Sequence, residues 1–407
     1  MTRREETELG SILTVHHGFA FAGEGMTDEL TGNPVLVSIG NFDYGGGFRF
    51  ESTRVREFRG DYPTQFELNP GDLVVVMTCQ TSGGEILGLP GLIPDDGKTY
   101  LHNQRIGRVE CTPDRLDKRF AYYLFLSPEV NRQLFATATG TKILHTSPGR
   151  IGRVTLALPE VSEQVAIARV LGALDDKIAV NAKISATAVR LTDTLFAQHA
   201  GHLEFGEETF GSVASIMGGG TPSTKIDDFW GGQISWSTPS DVTALPSPYL
   251  FATSRNITEF GLENCNSQLY PAQSIFMTSR ATIGAFALSQ VPAAVNQGFI
   301  VVLPPNEEMR WWLLHEMRSR VDEMISLANG SIFLELSRKN FKAMQIRLPG
   351  PAEVAEFARK VAPLHAAAAH AADENRTLAA LRDTLLPQLM SGRLRVRDAE
   401  TIVEDHV

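Results

Sequence analysis

Three cysteines in 407 residues are too few and too scattered for a disulfide framework. Cys79, Cys111 and Cys265 form no Cys-x-x-Cys pair, which excludes the usual structural-zinc spacing and fits a reducing, cytoplasmic setting. Long apolar runs are missing too. No uncharged stretch approaches the ~18 residues that cross a bilayer. The opening residues, Met-Thr-Arg-Arg-Glu-Glu, lead into no apolar secretory core, so no membrane role is expected. Basic charge is in short supply: 37 Lys and Arg against 47 Asp and Glu leave a net charge of -10. Taken alone, that balance argues against a nucleic-acid binder, because phosphate neutralisation needs Lys and Arg. A basic face can still hide behind it. Catalytic signatures are absent. Pro304-Pro305 sits between Leu303 and Asn306, so it is not the Asp/Asn-Pro-Pro-aromatic loop that grips a flipped base. No Gly-x-x-x-x-Gly-Lys-Ser/Thr loop announces a motor. His16-His17 have no third ligand at useful spacing, and the glycines at 45–47 and 218–220 read as loops.

What is present is a long helical pattern, and then the same pattern again. Residues 158–199 carry Ile167, Leu171, Leu174, Ile178, Ala188, Leu191 and Leu195 at three- and four-residue spacing. A helix of about 36 residues would span about 54 Å at roughly 1.5 Å per residue. Its narrow apolar seam suits a two-helix coiled coil. Near the C-terminus Leu348-Pro349, Val354, Phe357, Val361, Leu364 and Leu381-Arg382-Asp383-Thr384-Leu385 restate it. Pro159 and Pro349, Leu191 and Leu381, Asp193 and Asp383, and Gly140 and Gly330 all stand 190 residues apart. Pro363 inside the second copy is expected to kink or break that helix.

The regions between the helices repeat as well. Phe210-Gly211-Ser212-Val213 echoes Leu9-Gly10-Ser11-Ile12 at an offset of 201, as does Tyr270-Pro271 with its following strand against Asn69-Pro70. Asn296-Gln297 echoes Asn103-Gln104. Strands are expected at 9–15, 34–39, 73–78 and 154–158, with a helix from Phe120 to Phe135 and its counterpart from Trp311 to Met324. The organisation is therefore a first mixed α/β domain at 1–158, a long helix at 159–200, a second domain at 201–348, a second long helix at 349–392, and a short charged tail at 393–407 that should fray.

Words within this layout resemble the specificity subunits of type I restriction–modification enzymes. They are Gly218-Gly219-Gly220-Thr221-Pro222-Ser223-Thr224-Lys225, Phe229-Trp230-Gly231-Gly232-Gln233-Ile234-Ser235-Trp236, Asp241-Val242 and Ser279-Arg280-Ala281-Thr282-Ile283-Gly284. Asn296-Gln297-Gly298-Phe299, Leu171-Gly172-Ala173-Leu174-Asp175-Asp176-Lys177-Ile178 and Leu385-Leu386-Pro387-Gln388-Leu389-Met390-Ser391-Gly392-Arg393-Leu394 complete the set. The resemblance spans nearly the whole chain. It implies a non-catalytic reader of double-stranded DNA with two target-recognition domains, one per half of a split site, and two long helices packed antiparallel with a pseudo-two-fold internal duplication. It implies two modification subunits that carry the S-adenosylmethionine chemistry, and a motor-nuclease subunit joining them. Such a chain should bind DNA weakly on its own, its partners supplying much of the positive surface. The alternative is a duplicated protein-interaction scaffold without DNA specificity, whose helices dimerise and whose domains bind proteins.

DNA contacts are expected in two sets. Arg338, Lys339, Lys342 and Arg347 form an acid-free basic segment, with Lys142, Arg150 and Arg153 as its counterpart in the first copy. Arg54, Arg56 and Arg59 form a second run, diluted by Glu51 and Glu57. For base reading, the polar loops offer Gln80, Asn103, Gln104 and Arg105 in the first domain, and Lys225, Asp241, Arg280, Asn296 and Gln297 in the second. Because Asn-Gln recurs in both domains, a shared structural role such as bonding a loop backbone fits at least as well. Trp230 and Trp236 read as core.

Overall fold

The computed structural model describes residues 4–42, 48, 55–329, 334–404 and 406; Arg54, Glu51, Gly330 and the glycines at 45–47 lie outside them. The chain divides into two compact units, Met1–Asp176 with Leu378–Val407, and Lys177–Thr377.

In the first unit a four-stranded antiparallel sheet runs Leu13–His17, Ile106–Cys111, Leu73–Val76, Pro90–Leu92. Leu73–Val76 is buried at every position, as suits a β-branched run between two neighbours. A five-stranded sheet follows the order Met26–Thr27, Arg56–Phe58, Val35–Val37, Tyr100–His102, Glu67–Leu68. Its one parallel pairing joins Val35–Val37 to Tyr100–His102.

The second unit repeats the plan. Ser215–Met217, Phe299–Leu303, Ile275–Thr278, Phe286–Ser289 and Tyr249–Leu250 form one sheet, and Arg255–Ile257, Trp230–Ser237 and Ala293–Val295 the other. The registers coincide with those of the first unit. Thr14 faces Glu110 as Ser215 faces Leu303. Leu73 faces Val109 as Ile275 faces Val302. The second pair corrects the sequence alignment by one residue: this strand is offset by 202, not 201.

The helix expected over 120–135 is two, Lys118–Leu126 and Pro128–Thr137. Ser127 is extended, because the ring of Pro128 disfavours a helical residue before it. The second copy also breaks, into Glu307–Arg318 and Val321–Ser326.

Both long helices form, as Val161–Ala200 and Pro351–Ser391. Within each unit their segments pack antiparallel. Asn181 meets Glu374 and Phe196 meets Phe357 in the second unit, and Asp175 meets Arg382 in the first. The second helix keeps a seven-residue seam through Val354, Val361, Ala368, Asn375, Arg382 and Leu389. Pro363 does not break it. The ring sits on the exposed face, where water can satisfy the carbonyl it leaves unpaired, while Val361 and His365 beside it are buried. Leu191 is 45% exposed and does not belong to the seam, which passes instead through Asn181, Ser185, Ala188, Thr192 and Phe196. The tail does not fray: Val396–Glu404 is helical, with Ala399 and Val403 buried.

Candidate nucleic-acid interface

The two copies share a corner in which a glycine strap lies flush on an asparagine turn. A Cβ on Gly18 would fall 2.2 Å from the Asn103 carbonyl oxygen, and one on Gly219 would fall 2.0 Å from that of Val295. The next residue closes the contact each time: Phe19 N–H donates to His102 O (2.8 Å), and Gly220 N–H to Val295 O (3.0 Å). The turn itself is held by its asparagine. Asn103 Oδ1 accepts from the Arg105 N–H at 3.0 Å, and Asn296 Oδ1 from the Gly298 N–H at 2.8 Å. These side-chain oxygens mimic a backbone turn, the local structural role that Asn favours.

With Asn103 and Asn296 so used, their neighbours are what remains outward. Gln104 and Arg105 are exposed in the first unit and Gln297 in the second. Gln297 accepts a 2.6 Å bond from the Thr221 hydroxyl. The strap in the second unit is pinned from below. Trp236 Nε1 donates to Gly220 O and Trp230 Nε1 to Ser223 O, both at 3.1 Å, while the Tyr270 hydroxyl donates to Gly218 O. Thr221, Thr224 and Lys225 are left exposed above this platform.

Other candidates converge on the same corner of the second unit. Ser279 N–H donates to Gly298 O and Leu336 N–H to Ser279 O, which brings Arg280 and Arg338 alongside the turn. A Cβ on Gly218 would sit 3.0 Å from Arg338 Nη1. Arg280 pairs with Glu335 at 2.8 Å, both about half exposed. Lys339 and Lys342 are exposed on the short helix Arg338–Ala343. In the first unit, Met77 N–H donates to Arg105 O and Thr146 N–H to Met77 O, the same two links. Gln80 and Lys142 are exposed beside them, Arg150 donates to Thr139 Oγ1 at 3.3 Å, and Arg153 bonds Gly149 O at 3.1 Å. Among the described residues, no carboxylate lies within 4.0 Å of Lys142, Lys225, Lys339 or Lys342.

Compared with known families, residues 5–188 and 204–365 both match the type I restriction modification DNA specificity domain. The chain belongs to that family. Among its relatives is the type I restriction enzyme MjaIX specificity subunit of Methanocaldococcus jannaschii, 34% identical over 148 residues, 36% of this chain and 34% of the relative. Another is the HindI specificity subunit of Haemophilus influenzae, 25% identical over 185 residues, 45% of this chain and 40% of the relative. The alignments thus span about a third to two fifths of these relatives. The crystal structure of a type I restriction–modification S subunit from M. genitalium covers 95% of this chain and 96% of its own, with a TM-score of 0.57 at 16% identity, and shows a shared fold.

Within the two specificity domains some expected contacts are committed elsewhere. Asp241 closes a capping box, its Oδ2 accepting from the N–H and hydroxyl of Thr238 at 2.7 Å and its Oδ1 from the Ser254 N–H at 2.8 Å. Burial works to raise its pKa, and these bonds outweigh burial and hold it below the usual carboxylate range. Arg347 does not join the basic segment: Glu316, fully buried, holds it at 2.8 Å. Arg56 and Arg59 are not committed in this way: they face Asp28 and Glu29 across ion pairs that stay exposed. Trp236 is core, whereas Trp230 is only half-buried. One arginine escapes sequence reasoning: Arg255, exposed, lies with its guanidinium carbon 3.5 Å from the Trp230 ring centroid. Only strand pairing brings those two together. Among the described residues no three His, Cys, Asp or Glu side chains gather as a metal site, and no helix is long and apolar enough to cross a membrane.

Proposed function

We propose that this chain is the DNA-reading subunit of a type I restriction–modification assembly. Each specificity domain reads one half of a split double-stranded site, and the long helices set the spacer. The duplicated corner carries this reading. Both copies build the same glycine strap and Asn-Gln turn, with Gln104 and Gln297 in common, yet surround it with different side chains: Arg105, Gln80 and Lys142 in one, Thr221, Lys225 and Arg338 in the other. A constant frame with variable polar groups is what two readers of unlike sequences require, since arginine suits guanine and glutamine suits adenine.

The chain acts without catalysing. S-adenosylmethionine is bound by two modification subunits docked on the helices, a motor-nuclease subunit completes a cutting assembly, and the whole works in the cytoplasm. A net charge of -10 supports a division of labour in which the partners add positive surface.

Co-expression with a modification subunit followed by methylome sequencing tests this. A methylated split site that vanishes when this chain is deleted is expected. An unchanged methylome would sink the reading and favour a protein-interaction scaffold.

A further inference from the structure

We propose that Arg56 and Arg255 are a duplicated pair of DNA-backbone contacts, each gripping one phosphate beside its own half-site. The inference rests on the DNA-reading proposal above and extends it to two named residues that the internal repeat does not align in sequence.

The sheet register makes them equivalent. Arg56 lies opposite Leu36, and Glu57 opposite Val35. Arg255 lies opposite Trp236, and Asn256 opposite Ser235. On its other side Leu36 pairs in parallel with Leu101, and Trp236 with Ala294. Two residues beyond Leu101 is Asn103, and two beyond Ala294 is Asn296, the turns that hold the glycine straps. Both arginines therefore occupy one position in the domain, measured from the same turn.

Their surroundings do not explain why both are arginine. Arg56 reaches Asp28 at 3.0 Å, in a pair whose side chains are 54% and 80% exposed. Among the described residues Arg255 has no such acid, and its guanidinium lies over the Trp230 ring instead. An exposed ion pair contributes little to folding, and a surface cation–π contact is similarly modest. What the two share is an exposed planar guanidinium at one register position, two strands across from the strand that leads into the asparagine turn. Domains that read unlike half-sites have no reason to share a base contact, whereas both must grip a backbone that is alike everywhere. The Asp28 pair, being exposed, exchanges readily for phosphate, and the Trp230 indole supports the Arg255 guanidinium while leaving the residue exposed to one.

The test uses the full chain co-purified with its modification subunit, with duplex affinity measured across a salt series. Arg56→Gln and Arg255→Gln should each weaken cognate and scrambled duplexes by the same factor, and each should flatten the log–log salt dependence by about 0.9. The double variant should flatten it by about 1.8. Arg56→Lys and Arg255→Lys, which keep the charge, should restore most of the slope. Unchanged slopes, or a loss confined to discrimination at a single base pair, would overturn the pairing. A wild-type complex that binds no duplex at any salt would overturn the DNA-reading proposal itself, and that outcome is visible before any variant is made.

Discussion

His315 Nε2 lies 2.9 Å from His365 Nε2, and only one proton fits between them. The chain of bonds fixes which one. His315 Nδ1 donates to Asp193 Oδ1 at 2.8 Å, so its Nε2 must accept. His365 Nε2 then donates, and its Nδ1 accepts from the Tyr249 hydroxyl at 2.8 Å. Arg318 closes the far end on Asp193 at 2.8 Å, and Trp311 stacks on His365. Both histidines are held neutral. Burial is the main cause, and for His365 the adjoining His315 and Arg318 add to it, pushing its pKa down to about 3. The lowered folded value means the unfolded chain binds more protons between about 6.5 and about 3. Stability from this network is therefore present above pH 6.5 and falls as the pH drops, His365 contributing up to about 1.4 kcal/mol per pH unit and His315 acting in the same direction. Denaturant titrations at pH 6.5, 6.0, 5.5 and 5.0 should show that slope, and His365→Phe should lessen it. A flat profile over that range would dismiss the network as a source of acid sensitivity.

Glu316 offers a sharper test of folding. Its carboxylate is fully buried, with Arg320 Nη1 3.0 Å from one oxygen and Arg347 Nη2 2.8 Å from the other. Arg320 is itself 7% exposed, although Glu323 also holds it at 2.7 Å. Removing one partner of a buried ion network leaves charge uncompensated, at a cost of about 3–5 kcal/mol. Glu316→Gln should lower the unfolding free energy of the full chain by about that much. A loss below about 1 kcal/mol would mean that water reaches the guanidinium groups.

The glycine straps predict a paired effect. A Cβ at Gly18 or Gly219 would meet a carbonyl oxygen at 2.2 or 2.0 Å, backbone that cannot swing aside. Gly18→Ala and Gly219→Ala should each cost roughly 1–3 kcal/mol, the usual range for overpacking. Each should also blur methylation specificity at one half-site and spare the other. Loss of both halves from a single substitution would contradict the independence of the two readers.

How much of this was legible depended on distance along the chain. The duplication, the long helices and the buried strand at Leu73–Val76 rest on local pattern, which the sequence carries openly. The role of Asn103 and Asn296 was legible by comparing copies, since a residue shared by readers of different sequences has no part in telling those sequences apart. Arg347 misled because its partner Glu316 lies 31 residues away and is visible only once the helix Glu307–Arg318 is folded. Leu191 misled because its three- and four-residue spacing from Ala188 and Leu195 is right while its face is wrong. The copies also answer one contact with opposite chemistry. Asp175 stands where the repeat puts His365, and binds the Tyr123 hydroxyl at 2.6 Å and Arg382 at 2.8 Å. The sequence names Asp175 and His365 but not the tyrosine hydroxyl that each one meets, because that partner comes from a distant segment.

The wrong face of Leu191 is itself informative. Val180, Ile184 and Leu191 are 52%, 45% and 45% exposed, and their spacing of four and seven residues sets them on one side of the helix Val161–Ala200. An apolar stripe flanking a packed seam is the surface a helical scaffold would offer to the modification subunit proposed above. Because these side chains already face solvent, Val180→Glu with Ile184→Lys should leave the unfolding free energy within about 0.5 kcal/mol of wild type. The same pair of changes should abolish co-purification of the modification subunit and, with it, methylation of both half-sites together. Retained co-purification would place that subunit elsewhere on the chain. Loss of methylation at one half-site alone would show that the stripe serves a reader, which the helix position of these residues argues against.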